Sequence, residues 1–255
     1  MKILSILLLI SFTLLFSQQS LSKKLIDKPS ASILNKGEVE VEGRIYTAGG
    51  FLIGINASVF ENLEIGISYG ASEVFSNVEP DWNGQPGVKL KILAFKEDYY
   101  MPNIAFGFDS QGYGRWITDT DNDNEERYTF KAPGFFAVAT KNFYIAGNLG
   151  MLGLHGGINY SIIEKKDKDD KLNVFVGLDK DIGKSLLFRA EYDFAFNDKF
   201  DDLSETKERG YLNAGLTWIV SPEFSLDLIL KDLLRNKSLA SESERIIRFT
   251  YKRKF

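Results

Sequence analysis

From Val39 to the last residue, Phe255, apolar and polar side chains alternate almost without interruption. A period of two marks a strand with two unlike faces, and a chain with so many such runs is all-β. The cleanest run sets Leu186, Phe188, Ala190, Tyr192, Phe194 and Phe196 against Leu187, Arg189, Glu191 and Asp193. The last run sets Ile247, Phe249, Tyr251, Arg253 and Phe255 against Ile246, Arg248, Thr250, Lys252 and Lys254. With 22 Gly, 6 Pro and 13% aromatic residues, the composition suits many short strands joined by turns. The period alone leaves open which face is wet.

Counting the runs from Glu38 to Phe255 gives about twelve strands, with ten or fourteen as the neighbouring even counts of a single-chain barrel. Short connections near Glu61-Asn62, Asp181–Gly183 and Ser221–Glu223 tend to alternate with polar ones at about 71–86, 110–132, 162–171, 197–209 and 232–244. A soluble sandwich has no reason to lengthen every other loop. A transmembrane antiparallel β-barrel does, with short turns and both termini in the periplasm and long loops outside. The run at 134–140 is too uniformly apolar for its facing to be assigned.

Three features turn the apolar face outward, toward lipid. Residues 1–17 read as a signal peptide, with Lys2 before an apolar run from Ile3 to Phe16 and small residues at Ser17 and Ser20 for cleavage. Aromatics stand near strand ends (Phe60, Tyr69, Tyr160, Trp218, Tyr251, Phe255), where interfacial girdles form. Phe249, Tyr251 and the terminal Phe255 resemble the C-terminal signal read by the barrel-insertion machinery, although Arg253 stands where an apolar residue is usual. The expected organisation is a signal peptide at 1–17, a short periplasmic leader at 18–36 and an outer-membrane barrel at 37–255.

The polar face is then the lumen. On the first strand it carries Glu38, Glu40, Glu42 and Arg44. The next strands add Glu64, Lys89, Lys91 and Asp109, then His155 and Asp179. Arg189, Glu191 and Asp193 follow, with Asn213, Asp227, Arg248 and Lys252 closing the ring. Closure brings the basic last strand beside the acidic first one, so opposite charges meet. These charges either fix register and fill the barrel or line a pore.

Several chemistries are disfavoured. A net charge of -4 offers no basic face for nucleic acid, and zero Cys removes disulfides and thiolate catalysis. His155, the single histidine, faces the polar side; a satisfied polar residue is favoured over a ligand. Lipid hydrolysis in a barrel needs a serine beside the histidine, yet Gly157 stands two residues on. Asp119, Asp121 and Asp123 alternate as in the first half of a calcium loop, but the Gly and the bidentate Glu are missing. A solvated acidic loop is favoured there, with weak divalent binding the alternative. No cofactor motif is present.

The blocks Gln85–Lys91, Pro102–Tyr113, Leu152–Ser161, Val176–Asp181, Ala190–Asp193 and Gly210–Gly215 resemble a family of poorly characterised outer-membrane barrels from Gram-negative bacteria, similar to those associated with exopolysaccharide export. The resemblance implies a barrel and supplies no catalytic residues. The expected role is porin-like passage or export of a small polar or saccharide-like solute, with membrane lipid, the insertion machinery and that solute or a polysaccharide as partners. The rival is a non-conducting structural or adhesive barrel with a charge-filled lumen; an enzyme acting on membrane lipid is a distant third.

Overall fold

A computed structural model describes residues 24–47, 49–118, 126–146, 149–163, 171–198, 210–236 and 243–255. The expected signal peptide at 1–17 and the acidic trio Asp119, Asp121 and Asp123 lie outside the described residues.

The alternating runs become long strands: β1 (Glu38–Tyr46), β2 (Gly50–Phe60), β3 (Leu63–Ser72), β5 (Gly87–Phe95), β6 (Asn103–Asp109) and β9 (Gly134–Tyr144). They continue as β10 (Met151–Tyr160), β11 (Asn173–Ile182), β12 (Leu186–Asp193), β13 (Tyr211–Ile219), β14 (Phe224–Lys231) and β15 (Glu244–Lys254). Each pairs antiparallel with its neighbours, and β1 pairs with both β2 and β15, so the twelve strands close into a barrel without a free edge. The short pair β4 (Asp81–Trp82) adds onto β3 inside the 73–86 connection.

One end of the barrel carries compact turns, such as Glu61–Asn62 and the turn at Gly183, whose φ of 70° is a left-handed value that suits glycine. The other end carries the long connections, except for 47–49 between β1 and β2. Residue 37 and Phe255 meet at the short-turn end, where the Phe255 N–H donates to the Gly37 carbonyl at 3.0 Å.

One expectation needs correcting, and one facing left open is now assigned. The stretch 110–132, read as a polar loop, contains a hairpin of β7 (Tyr113–Thr118) and β8 (Glu126–Phe130), and Tyr113 and Tyr128 are buried at its base. The uniformly apolar run at 134–140 is the first part of an eleven-residue strand, with Phe136, Val138 and Thr140 buried inward and Phe135 exposed outward. Its inner face is apolar because it meets an apolar patch of the interior built from Leu93, Ala105 and Phe175.

The two faces are inverted relative to a soluble barrel. Ile67, pointing out from β3, is 62% exposed, while Glu64 on the inner face of the same strand is 1% exposed. Ile55, Leu90, Phe106, Val176 and Leu228 repeat the outward exposure on other strands. Trp82 stacks on Tyr69 at 5.9 Å near the long-loop end, and Phe60, Trp218, Tyr251 and Phe255 stand exposed toward the other. An apolar belt flanked by rings around a charged interior is the facing of a barrel embedded in lipid.

Candidate functional site: a filled lumen

The register places all the expected lumen side chains on the inner face. Glu38 lies opposite Lys254, Glu40 opposite Lys252 and Arg44 opposite Arg248 across the β1–β15 seam. Glu64 faces Lys91, and Lys89 faces Asp109, across the β3–β5 and β5–β6 pairs. Asp179 faces Arg189, and Glu191 faces Asn213. Asp227 faces Arg248, while Asp193, opposite Phe175, and His155 complete the ring. Glu42 lies 3.5 Å from Arg44. Phe249, Tyr251 and Phe255 lie on the outer side of the last strand, as the alternation requires.

These charges are paired with one another only in part. Asp227 Oδ2 takes Arg248 Nε and Arg189 Nη1, the latter at 3.3 Å, and Glu64 holds Lys89 at 2.8 Å and Lys91 at 3.6 Å. Much of the remaining hydrogen-bonding capacity is spent on residues 24–36. The sequence reading put this stretch outside the barrel as a leader. It runs inside the barrel instead. The reason is energetic: an inner wall of buried charges needs partners in a medium that punishes unpaired ones. A short segment with free main-chain groups and a few apolar side chains supplies them.

The grip encircles the segment. Glu191 Oε2 accepts the N–H groups of Ile26, Asp27 and Lys28 at 3.1, 3.0 and 2.8 Å, one carboxylate satisfying three donors of a tight turn. Its other oxygen accepts Asn213 Nδ2 at 2.9 Å. Arg248 donates to the carbonyls of Ile26 and Leu25 at 3.0 and 3.1 Å. Lys28 reaches Asp193 at 2.8 Å, and Lys91 donates to the Ser32 carbonyl at 2.6 Å. Toward the short-turn end, the Leu34 N–H donates to Glu64 at 3.1 Å and Asn35 is tied to Glu38.

Apolar side chains add shape. Leu25, Ile26, Ala31 and Leu34 are fully buried; Ile26 joins Tyr46, Leu52, Ile229 and Ile246, while Ala31 packs with Leu93, Phe136 and Phe175. Opposite Leu25 the wall carries Gly177, where a Cβ would come within 2.3 Å of a Leu25 methyl. A glycine on an inner face leaves the depth that a second backbone needs.

His155 belongs to the same grip. Its Nε2 lies 2.6 Å from Asp179, and its Nδ1 lies 2.9 Å from the hydroxyl of Thr140, directly across the strand pair. Thr140 Oγ1 in turn accepts the Ala31 N–H at 2.9 Å. One proton arrangement satisfies all three contacts: the Thr140 hydroxyl donates to Nδ1, and Nε2–H donates to Asp179. Spacing along one strand could not reveal Thr140, because the relay crosses between strands.

Asp27 is the most elaborately held group. Its carboxylate meets Arg44 Nη1 at 3.0 Å, Lys231 Nζ, and the Tyr113 hydroxyl at 2.8 Å. Tyr113 stacks on Phe130 at 4.7 Å and meets the Tyr46 ring edge at 5.4 Å, so the hairpin at the long-loop end reaches the interior. A cavity of about 100 Å³ is bordered by Lys24, Glu42, Arg44, Lys89 and Asp109, and another of about 30 Å³ lies near Arg189 and Arg248. Such volumes have room for ordered water beside these charges. Among the described residues, no group of His, Cys, Asp and Glu is arranged to hold a metal ion.

The closed twelve-strand topology decides the architecture. The chain has the fold of a porin barrel. It superposes on the KdgM porin with a TM-score of 0.50 at 8% sequence identity, covering 84% of this chain and 98% of that one. Also similar are the KdgM porin in complex with disordered oligogalacturonate (TM-score 0.48, 8% identity, 84% and 98% covered) and the Acinetobacter baumannii outer membrane protein Omp33 (TM-score 0.46, 9% identity, 86% and 97% covered). No protein-family model and no curated protein matches the sequence.

Proposed function

We propose that this chain is an outer-membrane, porin-like barrel for passage of a small polar or saccharide-like solute. The observation that carries the reading is the inversion of its faces: a belt of exposed aliphatic residues outside and a ring of charges inside. Lipid solvates the first, and only water, solute or protein can solvate the second. Export behind the signal peptide at 1–17 and insertion guided by Phe249, Tyr251 and Phe255 belong to the same proposal, with the short-turn end and both termini in the periplasm. Likeness to a porin in architecture agrees with it.

On this reading Glu40 and Glu42, half-buried beside the 100 Å³ cavity, set the ion preference of the path. The test is conductance of the refolded full chain in a planar bilayer. Discrete steps whose cation preference falls in E40Q/E42Q support the channel. A second reading has its own observation, the lumen occupied by residues 24–36: a structural envelope barrel whose interior is permanently filled. An inserted barrel that never conducts, at any voltage, selects that second reading.

A further inference from the structure

We propose that residues 24–36 are a displaceable plug, and that Arg44, Lys231 and Tyr113 form a carboxylate-binding site which Asp27 occupies as a tethered ligand and for which small carboxylate-bearing solutes compete. The inference rests on the channel reading, because a plug has a purpose only in a lumen that can otherwise pass solute.

The manner of attachment supports displacement. Among the described residues, the main-chain groups of Leu25 to Leu34 meet the wall through side chains: Glu191, Arg248, Thr140, Lys91 and Glu64. Their main-chain pairing is internal, with the Leu25 N–H donating to the Lys28 carbonyl and Lys24 bridged to Pro29. The barrel ladder closes through β1, β2 and β15 without using the segment. If the segment withdraws, water enters and rehydrates the wall charges, so no dry charge is left behind.

The site around Asp27 is built for its chemistry. Two cations, 1% and 3% exposed, and a phenol hydroxyl converge on the two oxygens of one carboxylate. Withdrawal of Asp27 leaves that convergence in place with an anion missing, which favours replacement by another carboxylate. Beside it the Tyr113 and Phe130 rings, with Lys231 Nζ 3.4 Å from the Phe130 centroid, give an apolar wall for the organic part of a ligand. The competitor must overcome the high effective concentration of a tethered group, so displacement is graded with solute concentration.

Ser30 provides the reporter. It is fully buried in the plug, and its hydroxyl has no hydrogen-bond partner, so S30C is a near-isosteric change in a chain without cysteine. The experiment follows labelling of S30C in the refolded full chain by a bulky water-soluble maleimide, with heat-modifiable migration as the check on folding. Labelling is expected to be slow, to accelerate roughly tenfold or more in S30C/D27N, and to accelerate with propionate but not with propionamide at matched ionic strength. Equal labelling under all conditions overturns the plug. Acceleration by D27N with no difference between propionate and propionamide overturns the carboxylate site. Labelling needs no ion flow, so a responsive S30C in a barrel that never conducts leaves the displaceable segment and its carboxylate site standing and removes only the channel reading that gives them a purpose.

Discussion

In the wall, every strand gives its main-chain groups to two neighbours, and the ladder closes on itself between β1 and β15. Residues 24–36 lie inside that wall and are held by the opposite means, with their main-chain groups taken by a few wall side chains. The wall's hydrogen bonds cooperate, since opening one strand pair leaves several groups unpaired in lipid, where no water replaces them. Those of the segment are separable, because each ends on a flexible side chain next to polar space. One part of the molecule is therefore committed to the membrane and the other to the lumen.

Substitutions can drive these two parts apart. The largest effect is expected where they share a residue: R248M removes one of the two cations on Asp227 and the donor to the Leu25 and Ile26 carbonyls together. Breaking such a buried pair costs ~3–5 kcal/mol, read as a lower urea midpoint of the refolded barrel together with faster S30C labelling. A pure wall effect comes next. Leu228 points outward from β14 and is 55% exposed, so L228R should cost roughly 2–4 kcal/mol of folding in a bilayer and leave S30C labelling unchanged.

A mainly segment effect is expected from E191Q, which replaces the carboxylate that accepts the Ile26, Asp27 and Lys28 N–H groups and touches the wall only at Asn213. Losing charge-assisted bonds of about 1.5–3 kcal/mol should raise S30C labelling by about ten- to hundredfold, with the urea midpoint little moved. The smallest belongs to G177A, whose new methyl would crowd Leu25. Because the far end of Leu25 can shift, overpacking at the low end of ~1 kcal/mol should speed labelling by less than about tenfold. If L228R loosened the segment, or if E191Q unfolded the barrel, the separation of the two parts would be wrong.

The wall was legible in the sequence because a strand's period of two survives any tertiary setting that keeps one face wet. Glu64, Lys91, Arg189 and Asp227 could each be assigned to the polar face by counting alone, and the register pairs Glu64 with Lys91, Asp179 with Arg189 and Asp227 with Arg248. The segment was not legible. Lys24 to Lys36 has neither period, and Leu25, Ile26, Ile33 and Leu34 read as scattered apolar residues in a polar leader. Two signals pointed inward all the same: those four apolar residues lacked a core, and Gly157, Gly177 and Gly215 lay on a face otherwise rich in long charged chains. The Thr140–His155–Asp179 relay was hidden for another reason, since it joins three strands whose pairing no local spacing records.

The most direct measurement compares single-channel conductance, in one planar bilayer system, of the full chain and of a chain lacking residues 24–34. The account predicts that both run as heat-modifiable barrels, that the full chain conducts only in brief steps, and that the shortened chain conducts in large, long-lived ones. A shortened chain that inserts and stays silent would contradict it. So would one that fails to fold, because the segment would then be part of the wall's own stability.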